Sequence, residues 1–239
     1  MENLPFLKIE KETISEEELL ESAPKLFQPI GPEKINADGT IEIENEKLKI
    51  VIKYEEPRFS TDEISKIDEK LSTSSLRVKG QSIIEFLDFK PELFYKLTEL
   101  SIENKVDKNK VSLADEIADS NVYVLKGGVD CSGSIHDAFS SCIKVNAEPK
   151  TAIALLTLFH EIGHKKNPNN NILEKFDIFS GDEKNSLSNL FIGAERSAWA
   201  YCLAKLKPFL KEMNISSEDL DAVIHKRALG TYSDFLSKN

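Results

Sequence analysis

Residues 152–159 read Ala-Ile-Ala-Leu-Leu-Thr-Leu-Phe, and the chain runs on without a break into His160-Glu161-Ile162-Gly163-His164. A helix that is apolar on nearly every side is buried on nearly every side, so the polar group at its end is carried into the interior. Positions four apart share a helix face. His160 and His164 can therefore turn their imidazoles towards one metal ion. Glu161 projects beside the pair, where it can take a proton from a water brought to that ion. The competing reading is an ordinary polar helix end, with histidine favoured by the helix dipole and Lys165 and Lys166 in water.

A catalytic zinc takes three protein ligands and keeps one position open. The chain has four histidines, and the other two are His136 and His225. Asn167 and Asn170 stand where a third-histidine continuation of the motif would need Gly and His. A carboxylate is the better third ligand, and Glu174, Asp177, Asp182, Glu183 and Glu195 lie downstream. Glu195 opens the segment Glu195-Arg196-Ser197-Ala198-Trp199-Ala200, whose small residues let a second helix approach the first closely. A ligand on a packed helix holds its geometry, whereas one in the polar stretch 167–186 would move.

These residues together resemble the gluzincin-type zinc metallopeptidases, in particular the ImmA/IrrE-like group. There, a strand precedes an HE(I/L)GH helix, and a later helix supplies a Glu followed by small residues and an aromatic. The resemblance covers about residues 120–205. It departs at Trp199, where the group more often has Phe, and in a slightly longer spacing to Glu195. It implies Zn²⁺ held by His160, His164 and Glu195, with Glu161 as general base and a protein or peptide as substrate. It also implies a later donor to the oxyanion, for which His225 and Tyr201 are the candidates. A zinc module without catalysis, serving regulation or binding, is the alternative. An interaction protein without metal is a third.

The 239 residues carry a formal net charge of −10 with scattered Lys and Arg, which argues against direct binding to nucleic acid. Neither a signal peptide nor a stretch of about eighteen apolar residues is present, so a cytoplasmic protein with no membrane association is expected. Cys131, Cys142 and Cys202 lack CxxC spacing and fit reduced thiols.

Ser15, with Glu18 three residues on, has the form of a capping box, and a helix to about Phe27 is expected. The alternation Ile41, Ile43, Leu48, Ile50, Ile52, Tyr54 predicts a hairpin over 40–54. Helices are expected at about 61–72 and 91–104, with one short turn over 112–119. Strands follow at Val122–Leu125 and over 140–146. Within the latter, Ser141, Cys142, Ile143, Lys144 and Val145 are expected to form a sheet edge that pairs with an extended substrate. Beyond the breaker at 167–171 come a helix to about Ile178, a long helix from about 185 to 207, and a last one after Ser216. The expected fold is α+β, with a small twisted, mostly antiparallel sheet packed on the HExxH helix and a helical C-terminal part. The division expected is 1–110, of open role, and 111–239, the metallopeptidase-like portion, with one continuous domain as the alternative.

Overall fold

The structure is a computed structural model, and it describes residues 15–55, 93–113, 116–117, 121–128, 131, 135–137, 142–166 and 181–229. Helix α1 (Glu16–Ser22) starts at Ser15, whose hydroxyl oxygen accepts the Glu18 N–H at 3.1 Å while the Glu18 carboxylate accepts the Ser15 N–H. This is the expected capping box. The helix stops short of Phe27 because Pro24 has no N–H to continue it, and Pro24–Phe27 instead forms a 3-10 turn that buries Leu26.

Strands β1 (Glu33–Ile35), β2 (Ile41–Glu44) and β3 (Leu48–Glu55) run antiparallel, with Ile41 opposite Ile52 and Ile43 opposite Ile50. The expected hairpin is thus β2–β3. Its alternate residues Ile41, Ile43, Leu48, Ile50 and Ile52 are buried, and Glu42 pairs with Lys49 at 3.3 Å on the other face.

The helix expected over 91–104 is instead strand β4 (Phe94–Asn104). Leu97 and Leu100 are three apart, as on a helix face, yet both belong to the sheet's core face. The register explains it. Leu97 lies opposite Tyr54 and Glu99 opposite Lys53, so one extra residue is inserted in β4 and brings Leu100 back to the face of Leu97. Beyond the bulge, Leu100 and Ile102 alternate normally against Ile52 and Ile50.

The C-terminal half of β4 pairs with β5 (Lys110–Ser112), and its first residues pair with β6 (Asn121–Leu125). The turn expected over 112–119 reduces to helical residues at 116–117 among those described. Strand β8 (Cys142–Val145) lies parallel to β6 and antiparallel to β7 (Ile135–Asp137). Among the described residues, eight strands form one sheet, ordered β1-β2-β3-β4-β6-β8-β7 with β5 beside β4, and only the β6–β8 pairing is parallel. The expectation of a sheet edge at Ser141–Val145 is therefore corrected. From Cys142 to Lys144 the strand has neighbours on both sides, which use up its backbone groups, and the terminal strand on that side of the sheet, among the described residues, is β7. Ser141 and the helices expected over 61–72 and to Ile178 lie outside the described residues.

Helix α2 (Ala152–Lys166) follows β8, with the Thr151 hydroxyl accepting the Ala154 N–H at 3.3 Å. All its residues from Ala152 to His164 are buried except Thr157. It touches β7, β8 and the 3-10 turn, and packs along helix α3 (Gly181–Leu210). Instead of ending at Pro208, α3 runs two residues past it, and the Pro208 carbonyl accepts the Asn104 side-chain N–H at 3.3 Å, joining the ends of α3 and β4. Helix α4 (Ser217–Asp221), capped by Ser216, leads into a π-helical segment, Ala222–Leu229. One hydrophobic core draws on residues from Leu19 to Ile224, so the sheet and helices on both sides of position 110 share it. The fold is α+β. Among the described residues, no helix is long and apolar enough to cross a membrane.

Candidate metal centre

The last two turns of α2 carry His160, Glu161 and His164, all buried because the apolar residues before them embed the helix. On α3, Glu195, Trp199, Cys202, Leu206 and Phe209 recur at alternating spacings of four and three and are all buried, while Arg196, Ser197 and Ala200 are exposed. That stripe is the face α3 turns to α2.

Gly163 sets how near the two helices come. A Cβ there would stand 2.6 Å from the Ala198 carbonyl oxygen and 2.8 Å from its Cα, both backbone atoms that cannot swing away. Only a residue without a side chain permits this approach. It also brings Glu195, one turn before Ala198, to the two histidines.

The result is a tight triangle of donors. The Nε2 atoms of His160 and His164 are 3.0 Å apart; Glu195 Oε2 is 3.2 Å from the first and Oε1 is 3.1 Å from the second. Ligands at about 2.0–2.1 Å from a tetrahedral ion stand about 3.3 Å from one another, so the spacing suits a small cation. Two imidazole nitrogens so close cannot both present lone pairs to each other, and a shared cation satisfies both at once. The buried group His160, His164 and Glu195 can hold a metal ion.

The electrostatics agree. Burial alone would push the Glu195 carboxyl up, but hydrogen bonds and charge from His160 and His164 outweigh it and hold the group at about 2. Burial pulls His164 down, yet the Glu195 hydrogen bond and the charges of Glu195 and Glu161 keep it above the ordinary histidine value. A buried anion between two imidazoles draws positive charge to this point.

No family model, curated protein or solved structure matches this chain. The chemistry is read from the centre's own atoms.

Of the residues singled out in the sequence, His160, His164 and Glu195 come together, with Glu161 buried on the same helix end. Tyr201 does not join them. It follows Glu195 by six residues, about a third of a turn off the Glu195 face, and its hydroxyl donates to Glu116 Oε1 at 3.1 Å. Burial and the Glu116 charge hold that phenol protonated far above its usual range. His225 is exposed on the π-helical segment and outside the donor group, because the buried side of that segment is taken by Ala222, Val223 and Ile224. Ile143, Lys144 and Val145 are buried in an interior strand.

In the sequence, Trp199 stood out only as a departure from the Phe more usual in the group. In the structure its indole lies against His160, with ring centroids 4.3 Å apart and planes 31° apart. The signal was the four-residue spacing from Glu195, which puts ligand and indole on one helix face. The role of Gly163 in helix approach was equally hidden, since a partner's backbone cannot be read from a motif.

Proposed function

We propose that this protein is a zinc-dependent metallopeptidase of the gluzincin kind, similar to the ImmA/IrrE-like group, acting on a protein or peptide substrate. The convergence of three buried donors from two helices carries this reading, with Glu161 beside them in the HExxH order. His160, His164 and Glu195 would hold the ion. Zinc bound there would supply a Lewis acid and lower the pKa of a water to about 7.

Glu161 is the general base. It accepts the proton of the attacking water and returns it to the departing amine nitrogen, so no net proton is consumed at the carboxylate. Helix α2, as the active-site helix, lies against a twisted sheet, and an extended substrate would pair with a free strand edge rather than with β8. The net charge of −10 suits a cytoplasmic enzyme without nucleic-acid or membrane partners.

The test uses purified protein loaded with zinc and a library of unstructured peptides. Glu161→Gln is expected to keep one zinc per chain by elemental analysis and to lose about 10²–10⁴-fold in hydrolysis, whereas His160→Ala loses both. Full hydrolysis by Glu161→Gln rejects the mechanism. Stoichiometric zinc with no hydrolysis in the wild type favours a zinc module that regulates or binds.

A further inference from the structure

Histidines that bind metal are ordinarily oriented by a hydrogen bond from the second ring nitrogen to a carboxylate or carbonyl. Among the described residues, neither histidine has that bond: Nδ1 of both His160 and His164 is buried without a partner. Something else must keep the His160 ring from turning about its bond to Cβ.

Two ring contacts enclose it. His164 meets it edge-on, with centroids 4.5 Å apart and planes at 81°, and the Trp199 indole covers it at 4.3 Å and 31°. Trp199 is the chain's single tryptophan and is 6% exposed. Its own Nε1–H is buried with no acceptor among the described residues, so the indole is held by packing. A buried N–H left unpaired costs free energy. What the position uses is the ring face.

We propose that Trp199 is a positioning residue of the metal centre, its indole face fixing the plane of His160 in place of an Nδ1 hydrogen bond; this rests on the zinc reading above. The contact also responds to the metal. An imidazole that donates its lone pair to a cation becomes electron-poor, and an electron-rich indole stacks on it more favourably. Because Glu195 is one turn before Trp199 on α3, one helix face supplies both a ligand and the clamp on another ligand.

The experiment measures zinc dissociation constants by competition with a chromophoric chelator, for wild type, Trp199→Phe and Trp199→Leu, with folding of each checked by circular dichroism. Trp199→Phe is expected to bind within about threefold of wild type, and Trp199→Leu about 10–100-fold more weakly, as for loss of an orienting partner. The cobalt(II) derivative supplies a second readout: the visible bands of the wild type should persist in Trp199→Phe and change in Trp199→Leu. Should Trp199→Leu not fold, Trp199→Tyr against Trp199→Met gives the same contrast of aromatic kept and aromatic lost. In the wild type, tryptophan emission should change on zinc titration and level off at one equivalent.

A wild type that binds neither zinc nor cobalt overturns the metal reading and the positioning role with it. A wild type that binds zinc while the non-aromatic variant binds as tightly, or whose emission is unchanged at saturation, overturns the positioning role alone.

Discussion

Glu195 illustrates how one buried carboxylate ties stability to pH in the metal-free protein. Its folded value, about 2, is below the ordinary 4.5, so the stability it contributes is full above 4.5 and is lost as pH falls towards 2. His164 has the opposite sign. Its folded value is raised above 6.5, so its contribution is full below 6.5 and is lost as pH rises through the raised value. The melting-temperature difference between metal-free wild type and Glu195→Gln is therefore expected to be largest between about pH 4.5 and 6.5 and to shrink on both sides. A difference that stays flat from pH 3 to about pH 8 would show that the triad is not coupled as described.

At the level of elements, the centre depends on two helices touching along one stripe. Gly163→Ala places a methyl group against the Ala198 backbone, and α2 and α3 must part to admit it. Overpacking of this kind costs about 1–3 kcal/mol, which a denaturant melt will read as a lower midpoint. Since Glu195 rides on α3, zinc affinity should fall as well. Affinity at the wild-type value in a folded Gly163→Ala chain would show that the close approach is not what seats Glu195. The element readings succeeded where neighbours in sequence decide the outcome. The Ser15–Glu18 cap and the β2–β3 alternation were legible because each depends on residues a few positions apart. Strand β4 was read as a helix because its bulge at Lys53/Tyr54 makes apolar residues recur at three, and a bulge is imposed by the partner strand.

For the molecule as a whole, the proposed zinc between α2 and α3 would bind the folded chain and not the unfolded one, so zinc is expected to raise the unfolding temperature. At a hundredfold excess over the dissociation constant the gain is about 2.7 kcal/mol. For a chain of this size that is roughly 5–10 °C, reversed by a chelator and absent in His160→Ala. Scanning calorimetry with and without zinc checks it.

The pairing of His160 with His164, the buried character of their helix and the α+β class were all legible from residue order, because helix periodicity and strand alternation are local rules. Glu195 could be singled out as the best carboxylate from the small residues after it. That it reaches both imidazoles depends on Gly163 meeting the Ala198 backbone. The same limit applies to the indole on His160, the Tyr201–Glu116 hydrogen bond and the enclosure of β8 between β6 and β7. Each is a contact between distant stretches of chain, selected by how layers pack around α2, and packing is a property of the assembled core rather than of any segment within it.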